Sequence, residues 1–152
     1  MAISQSFPLA WRFDDPAFAQ LPRAILDSFV EIGAPEAEAL WRRWVHPSES
    51  HVAKMRAVVS RTYPTIRTDW DDAAASREQL RNLVRIGETE VVAILWGRRC
   101  GIRVQWWTFL EYWDDFFYPS DDNNALIVEK LFLVGLYSEE CFSLYTQFER
   151  RQ

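Results

Sequence analysis

At 152 residues, 49% apolar, 26% charged and net charge −5, the chain has the size and balance of one soluble globular domain whose core needs no disulfide staples. The acidic balance excludes a general nucleic-acid binder, which needs a basic footprint. No apolar run approaches the length that spans a bilayer. Along the chain, Phe7 to Phe13 reads as a short opening strand, and Asp15-Pro16 as a cap followed by proline at the first helical position. Phe18, Leu21, Ile25, Phe29 and Ile32 step by three or four, a buried helical stripe interrupted at Pro22, with Gly33 closing it in a left-handed conformation. A further helix starts at Pro35, with Leu40, Trp41, Trp44 and Val45 facing inward, and His46-Pro47 ends it. Ser48 is expected to cap another helix that carries Val52, Met55, Val58 and Val59. Residues 62–75 read as an irregular connection, and Ser76 to Gln79 is a capping-box pattern that opens a helix with Leu80, Leu83 and Val84 inside.

The β portion begins near Glu90. Val91–Trp96 is a continuous apolar run fit for a central strand, residues 97–101 are a turn, and Ile102, Val104 and Trp106 alternate with Arg103, Gln105 and Trp107. Phe109, Leu110, Trp113, Phe116 and Phe117 then form one face of a helix, capped at Thr108 and stopped by Tyr118-Pro119. Glu111, Asp114 and Asp115 fall on the opposite face, and a polar turn follows at residues 120–124. Ala125 to Glu129 is a third strand, and Leu131 to Tyr137 with Cys141 to Phe148 a hairpin. The expectation is a single α+β domain over residues 1–152, with N-terminal helices packed on a C-terminal antiparallel sheet in the order β-β-α-β-β-β.

Strong catalytic patterns are missing: no Gly-rich phosphate loop, no Gly-x-Ser-x-Gly and no calcium loop. Two cysteines without a Cys-x-x-Cys pair, and two histidines, rule out a zinc finger. Unpaired cysteines and an N-terminal segment without a basic and then apolar stretch point to a reduced, cytoplasmic setting. His46 and His51 read as surface or helix-boundary residues. The arginines flanking Cys100 could lower its thiol pKa, but with no His or acid beside it an inert turn cysteine is favoured. Arg98, Arg99 and Arg103 read as a solvated hairpin tip, since no stacking aromatics interleave them. Neither metal nor cofactor is expected.

Charge is unevenly spread: residues 42–103 carry a net +5 and residues 104–152 a net −6, with no basic residue between Arg103 and Lys130. Three roles compete for Asp114-Asp115 and Asp121-Asp122. They could serve a metal or acid–base site, they could be a solvated helix face and a polar turn, or they could draw in a basic partner. The run from Val104 to Asp122, the strand after it, and Tyr137 to Phe142 resemble the C-terminal part of bacterial immunity proteins, the small antidotes encoded beside polymorphic toxins of contact-dependent or type VI secretion systems. The resemblance covers about residues 91–148. It implies a cytoplasmic, non-enzymatic protein that binds a cognate toxin domain and occludes its active site or target surface, with no membrane or direct nucleic-acid partner. An acidic antidote suits a toxin with a basic cleft, such as a nuclease or an NAD-using transferase. The contact surface is then expected at Glu111, Asp114, Asp115, Asp121, Asp122, Glu139 and Glu140, with Trp107 and Tyr118 as aromatic anchors. The alternatives are a small hydrolase that uses the carboxylates, or a non-catalytic adaptor.

Overall fold

The structure, a computed structural model, describes residues 3–4, 6–18, 21–67, 69–118, 123–128, 131–136 and 141–147. Seven strands among these residues form one antiparallel sheet: β1 (Val30–Ile32), β2 (Val59–Arg67), β3 (Val91–Trp96), β4 (Gly101–Gln105), β5 (Asn124–Val128), β6 (Leu131–Leu136) and β7 (Cys141–Gln147). Their spatial order is β1-β4-β3-β5-β6-β7-β2. The helices are α1 (Trp11–Asp14), α2 (Arg23–Asp27), α3 (Ala34–Arg42), α4 (Ala73–Leu83), α5 (Trp106–Glu111) and α6 (Trp113–Phe116), with a 3-10 turn at Trp70–Asp72. The molecule is a mixed α+β fold with helices on both faces of its sheet.

Period-two side chains divide the strands between two cores. Val92, Ile94, Ile102, Val104, Leu126, Val128, Phe142 and Leu144 face a large cluster completed by Phe13 and Phe29 and by Trp106, Phe109, Trp113, Phe116 and Phe117. Ala93, Leu95, Ala125 and Ile127 face a smaller cluster, closed by Trp41, Trp44, Val45 and Val52. Because β5 lies between both, all five of its residues are buried. Trp44 stacks on Phe132 with ring centroids 5.1 Å apart and 12° between planes, an offset arrangement that adds to simple area burial. In the β3–β4 hairpin, Gly97 takes φ 79°, the left-handed value that glycine tolerates.

Strands β3 to β7 fall on the segments read as strands, except that β4 stops at Gln105 and Trp106-Trp107, read as its continuation, open a helix. The N-terminal half departs from its reading. Residues 11–14 are a helical turn, not a strand, and Gly33 is extended at φ −61° as the N-cap of α3, not a left-handed helix end. The stripe from Phe18 to Ile32 splits. Helix α2 ends where the Ser28 hydroxyl donates to the Ile25 carbonyl at 2.6 Å, and Val30–Ile32 becomes an edge strand, pairing Val30 with Arg103 and Ile32 with Gly101. No helix follows Ser48. Residues 47–58 run through turns with a bridge between Val45 and Met55, tied down by Asn123, whose Oδ1 accepts from the Val52 N–H and whose Nδ2 donates to the Ser50 carbonyl. The segment read as irregular begins inside β2. That strand occupies the other edge of the sheet, and its register shifts between Thr62 and Ile66, around Pro64. Proline cannot donate to a ladder, so an edge strand with a bulge is where it is tolerated. The sheet is therefore not confined to the C-terminal half. Helix α4 also begins a turn earlier than the capping-box pattern indicated: the Asp72 carboxylate accepts from Ala75 N–H, while the Ser76 hydroxyl, inside the helix, accepts from Asp69 N–H.

Candidate functional site

The aromatic helix that organises the acidic half is broken. It opens at Trp106, with Gln105 as N-cap, and its first N–H groups donate to loop carbonyls: Trp106 to Glu90 at 2.7 Å and Trp107 to Glu88 at 2.9 Å. Thr108 is consequently inside the helix and buried, and does not cap it. At the far end Arg77 of α4 donates through Nε to the Leu110 carbonyl at 2.8 Å and through Nη2 to the Glu111 carbonyl at 3.0 Å. Tyr112 then leaves helical geometry at φ −121° and ψ 27°, and α6 restarts at Trp113. The break satisfies the last carbonyls of α5 by a guanidinium. It also lets both short helices bury their rings, with the Trp113 indole donating to the Ala73 carbonyl at 3.0 Å.

The expected contact residues separate on this frame. Trp107 is 38% exposed, its indole N–H donating to Gln105 Oε1 at 2.5 Å. Glu111 lies one turn along the same face and remains exposed, 3.9 Å from Arg77. Asp114 and Asp115 sit in the first turn of α6 and are partly buried rather than displayed. Burial, and then the neighbouring Asp114 charge, push the Asp115 carboxyl up to about 6. Tyr118 lies at the opposite end of β3 from Trp107. The Arg12 guanidinium stands 4.5 Å from the Tyr118 ring centre and 5.1 Å from that of Trp96, and both Arg12 Nη1 and the Trp96 indole donate to the Phe116 carbonyl. Since β3 runs from Val91 beside Trp107 to Trp96 beside Tyr118, roughly 17 Å of strand separates the two aromatic anchors. Asp121, Asp122, Glu139 and Glu140 lie outside the described residues.

Two exposed apolar groups were not assembled from sequence, and Phe18, expected in a buried helical stripe, belongs to one of them. Around Tyr118, Trp11 and Phe18 are 40% and 55% exposed and stack edge-on at 4.8 Å. Around Trp107, Val30 and Val91 are 42% and 59% exposed, and all three side chains line a cleft of about 520 Å3. Their signal was weak, because Trp11, Val30 and Val91 each open an element and Phe18 lies in a turn, where apolar periodicity says least about which side faces water.

The other candidates resolve into structure. His46 accepts from Ser48 through Nδ1, with N and Oγ at 3.3 and 2.8 Å, and His51 accepts from Ala53 N–H at 3.1 Å; both belong to turns. Burial raises the Cys100 thiol to about 11, outweighing the lowering by Arg12, so the thiolate is disfavoured. Arg98 and Arg103 do not form a solvated tip. Each binds a carboxylate of α3, Arg98 Nε to Glu38 at 2.7 Å and Arg103 to Glu36 at 2.5 Å, and these guanidiniums hold both carboxyls below the usual range. Among the described residues no group of three His, Cys, Asp or Glu side chains could hold a metal ion, and no helix is long and apolar enough to cross a membrane.

Comparison of the chain with protein-family models, with curated proteins and with solved structures finds no match.

Proposed function

We propose that this protein is a cytoplasmic antidote that binds a cognate secreted toxin domain and neutralises it by occlusion. The observation that carries the reading is the coincidence of exposed apolar side chains with carboxylates: Trp107 with Glu88, Glu90 and Glu111 around it, and Trp11 with Phe18 beside Asp14 and Asp15. Aromatic anchors surrounded by charge are what specific protein interfaces use. The rings supply desolvated contact area, and the charges select and steer the partner. The acid excess of residues 104–152 favours a toxin with a basic cleft, one that holds nucleic acid or dinucleotide phosphates.

Co-expression tests this. The C-terminal domain of a large secreted effector encoded next to this chain is expected to arrest growth alone and to be tolerated when this chain is present, and the two are expected to co-purify. Their affinity is expected to fall by about tenfold or more between 50 and 500 mM salt, as exposed charges are screened. Continued arrest in the presence of folded protein would overturn the proposal. So would turnover of a small molecule by the purified chain alone, lost in Asp114→Asn, which would favour the hydrolase.

A further inference from the structure

The cleft beside Trp107 exists because two strands of unequal length are paired. Strand β1 begins at Val30, opposite Arg103, but β4 continues to Gln105. Extending the register would set Ser28 opposite Gln105. Instead the chain turns away at Ser28 into α2, and among the described residues the end of β4 has no strand partner on that side. Hydrogen bonds at both ends of the β3–β4 ladder, Trp106 N–H to Glu90 and Trp96 N–H to the Cys100 carbonyl, give even-numbered residues of β4 to β3. Odd-numbered residues therefore turn their backbone groups toward β1, and the Gln105 N–H points into the vacated place. Ile25 of α2, Val30, Val91, Val104 and Trp107 supply its apolar lining.

Charge selects the occupant. The cation lining the cleft, Arg103, is already bound to Glu36. Glu88 and Glu90 hold the start of α5 through their carbonyls, are exposed, and have no ion-pair partner among the described residues. Glu111 adds a third carboxylate one turn from Trp107, partly offset by Arg77 at 3.9 Å. An apolar slot with exposed glutamates in the adjoining loop and one turn along α5 complements an apolar side chain carried between cations. Resting on the antidote reading, we infer that this cleft is the anchor site for the basic partner, taking one aliphatic or aromatic side chain from a segment in which Lys or Arg flanks it.

The probe is a short capped peptide with a central Leu between lysines, compared with one in which Glu replaces Lys and one in which Ser replaces Leu. Binding is followed by amide and indole NMR shifts of the full-length protein. The Lys–Leu peptide is expected to shift the Trp107 indole N–H and the amides of Val30, Val91 and Gln105. The Glu and Ser peptides are expected to bind at least tenfold more weakly. Val91→Asp, at a side chain already in water, should keep the fold and lose at least tenfold in affinity, and Glu88→Lys with Glu90→Lys should reverse the preference between the charged peptides. Equal binding of the Glu peptide, or shifts gathered at Trp11 and Phe18 instead, would overturn the inference. So would full rescue from the toxin by Val91→Asp, which leaves the antidote reading intact. Peptide binding at the cleft without any rescue by the wild-type chain would keep the cleft and overturn the antidote.

Discussion

Single side chains in this protein are governed by what their neighbours do to water. Asp115 looks like one of a surface pair, yet burial and the adjacent Asp114 hold its carboxyl near 6. Its folded form therefore keeps a proton that the unfolded chain, with an ordinary value near 3.9, releases sooner. The stability this group contributes is complete below about pH 4 and is lost as pH rises through about 6. Asp115→Asn is accordingly expected to stabilise the protein at pH 7.5 by about 1 kcal/mol after allowance for solvent screening, raising Tm by about 2–4 °C. It should also remove part of the pH dependence between pH 4 and 6. Thermal melts of both proteins across that range would check it, and an unchanged or lower Tm for the variant at pH 7.5 would contradict it. Glu36 and Glu38 pull the other way, because their arginine partners favour the charged form, and their contribution falls away in acid.

At the scale of elements, helix continuity yields to capping. Phe109 through Phe117 has the spacing of one amphipathic helix, and the backbone breaks it at Tyr112. Arg77 makes the break stable by serving two carbonyls with one planar guanidinium. Arg77→Ala leaves both carbonyls without that donor and is expected to cost about 1–3 kcal/mol. Arg77→Lys should recover little, since an ammonium cannot span two acceptors in a fixed fork. Urea unfolding should show a lower midpoint with an unchanged slope for both variants. A wild-type midpoint in the alanine variant would mean that water serves these carbonyls equally well.

For the whole molecule, the decisive feature is that one sheet carries a core on each face. Strand β7 joins β6 to the edge strand β2 and also delivers Phe142 and Leu144 to the larger core, where Phe142 meets Trp113 edge-on at 5.5 Å. Truncation after residue 140 would strip β2 of its pairing partner and open the core under α6 together. The truncated chain is expected to lose its cooperative calorimetric transition and its near-ultraviolet aromatic signal, while retaining some helical signal. A sharp transition in that chain would show that β2 and β7 are dispensable additions.

What could be read without coordinates was whatever repeats over several residues. Val91–Trp96, the alternation from Ile102 and the apolar stretch from Ala125 each specify a strand within their own length, and the acidic half was visible from the absence of cations between Arg103 and Lys130. The three-residue β1 and the bulged β2 carry too little pattern of their own. Val30–Ile32 continues a helical stripe, and Pro64 reads as a breaker; both become strands because a neighbour offers backbone partners. The candidate surface divides in the same way. Residue types could nominate Trp107, Glu111 and Tyr118, but their separation along β3 is a property of the folded sheet. So is the cleft: it forms where one strand stops and its neighbour continues, and its members, Ile25, Val30, Val91 and Trp107, are scattered along the chain and gathered only by tertiary pairing.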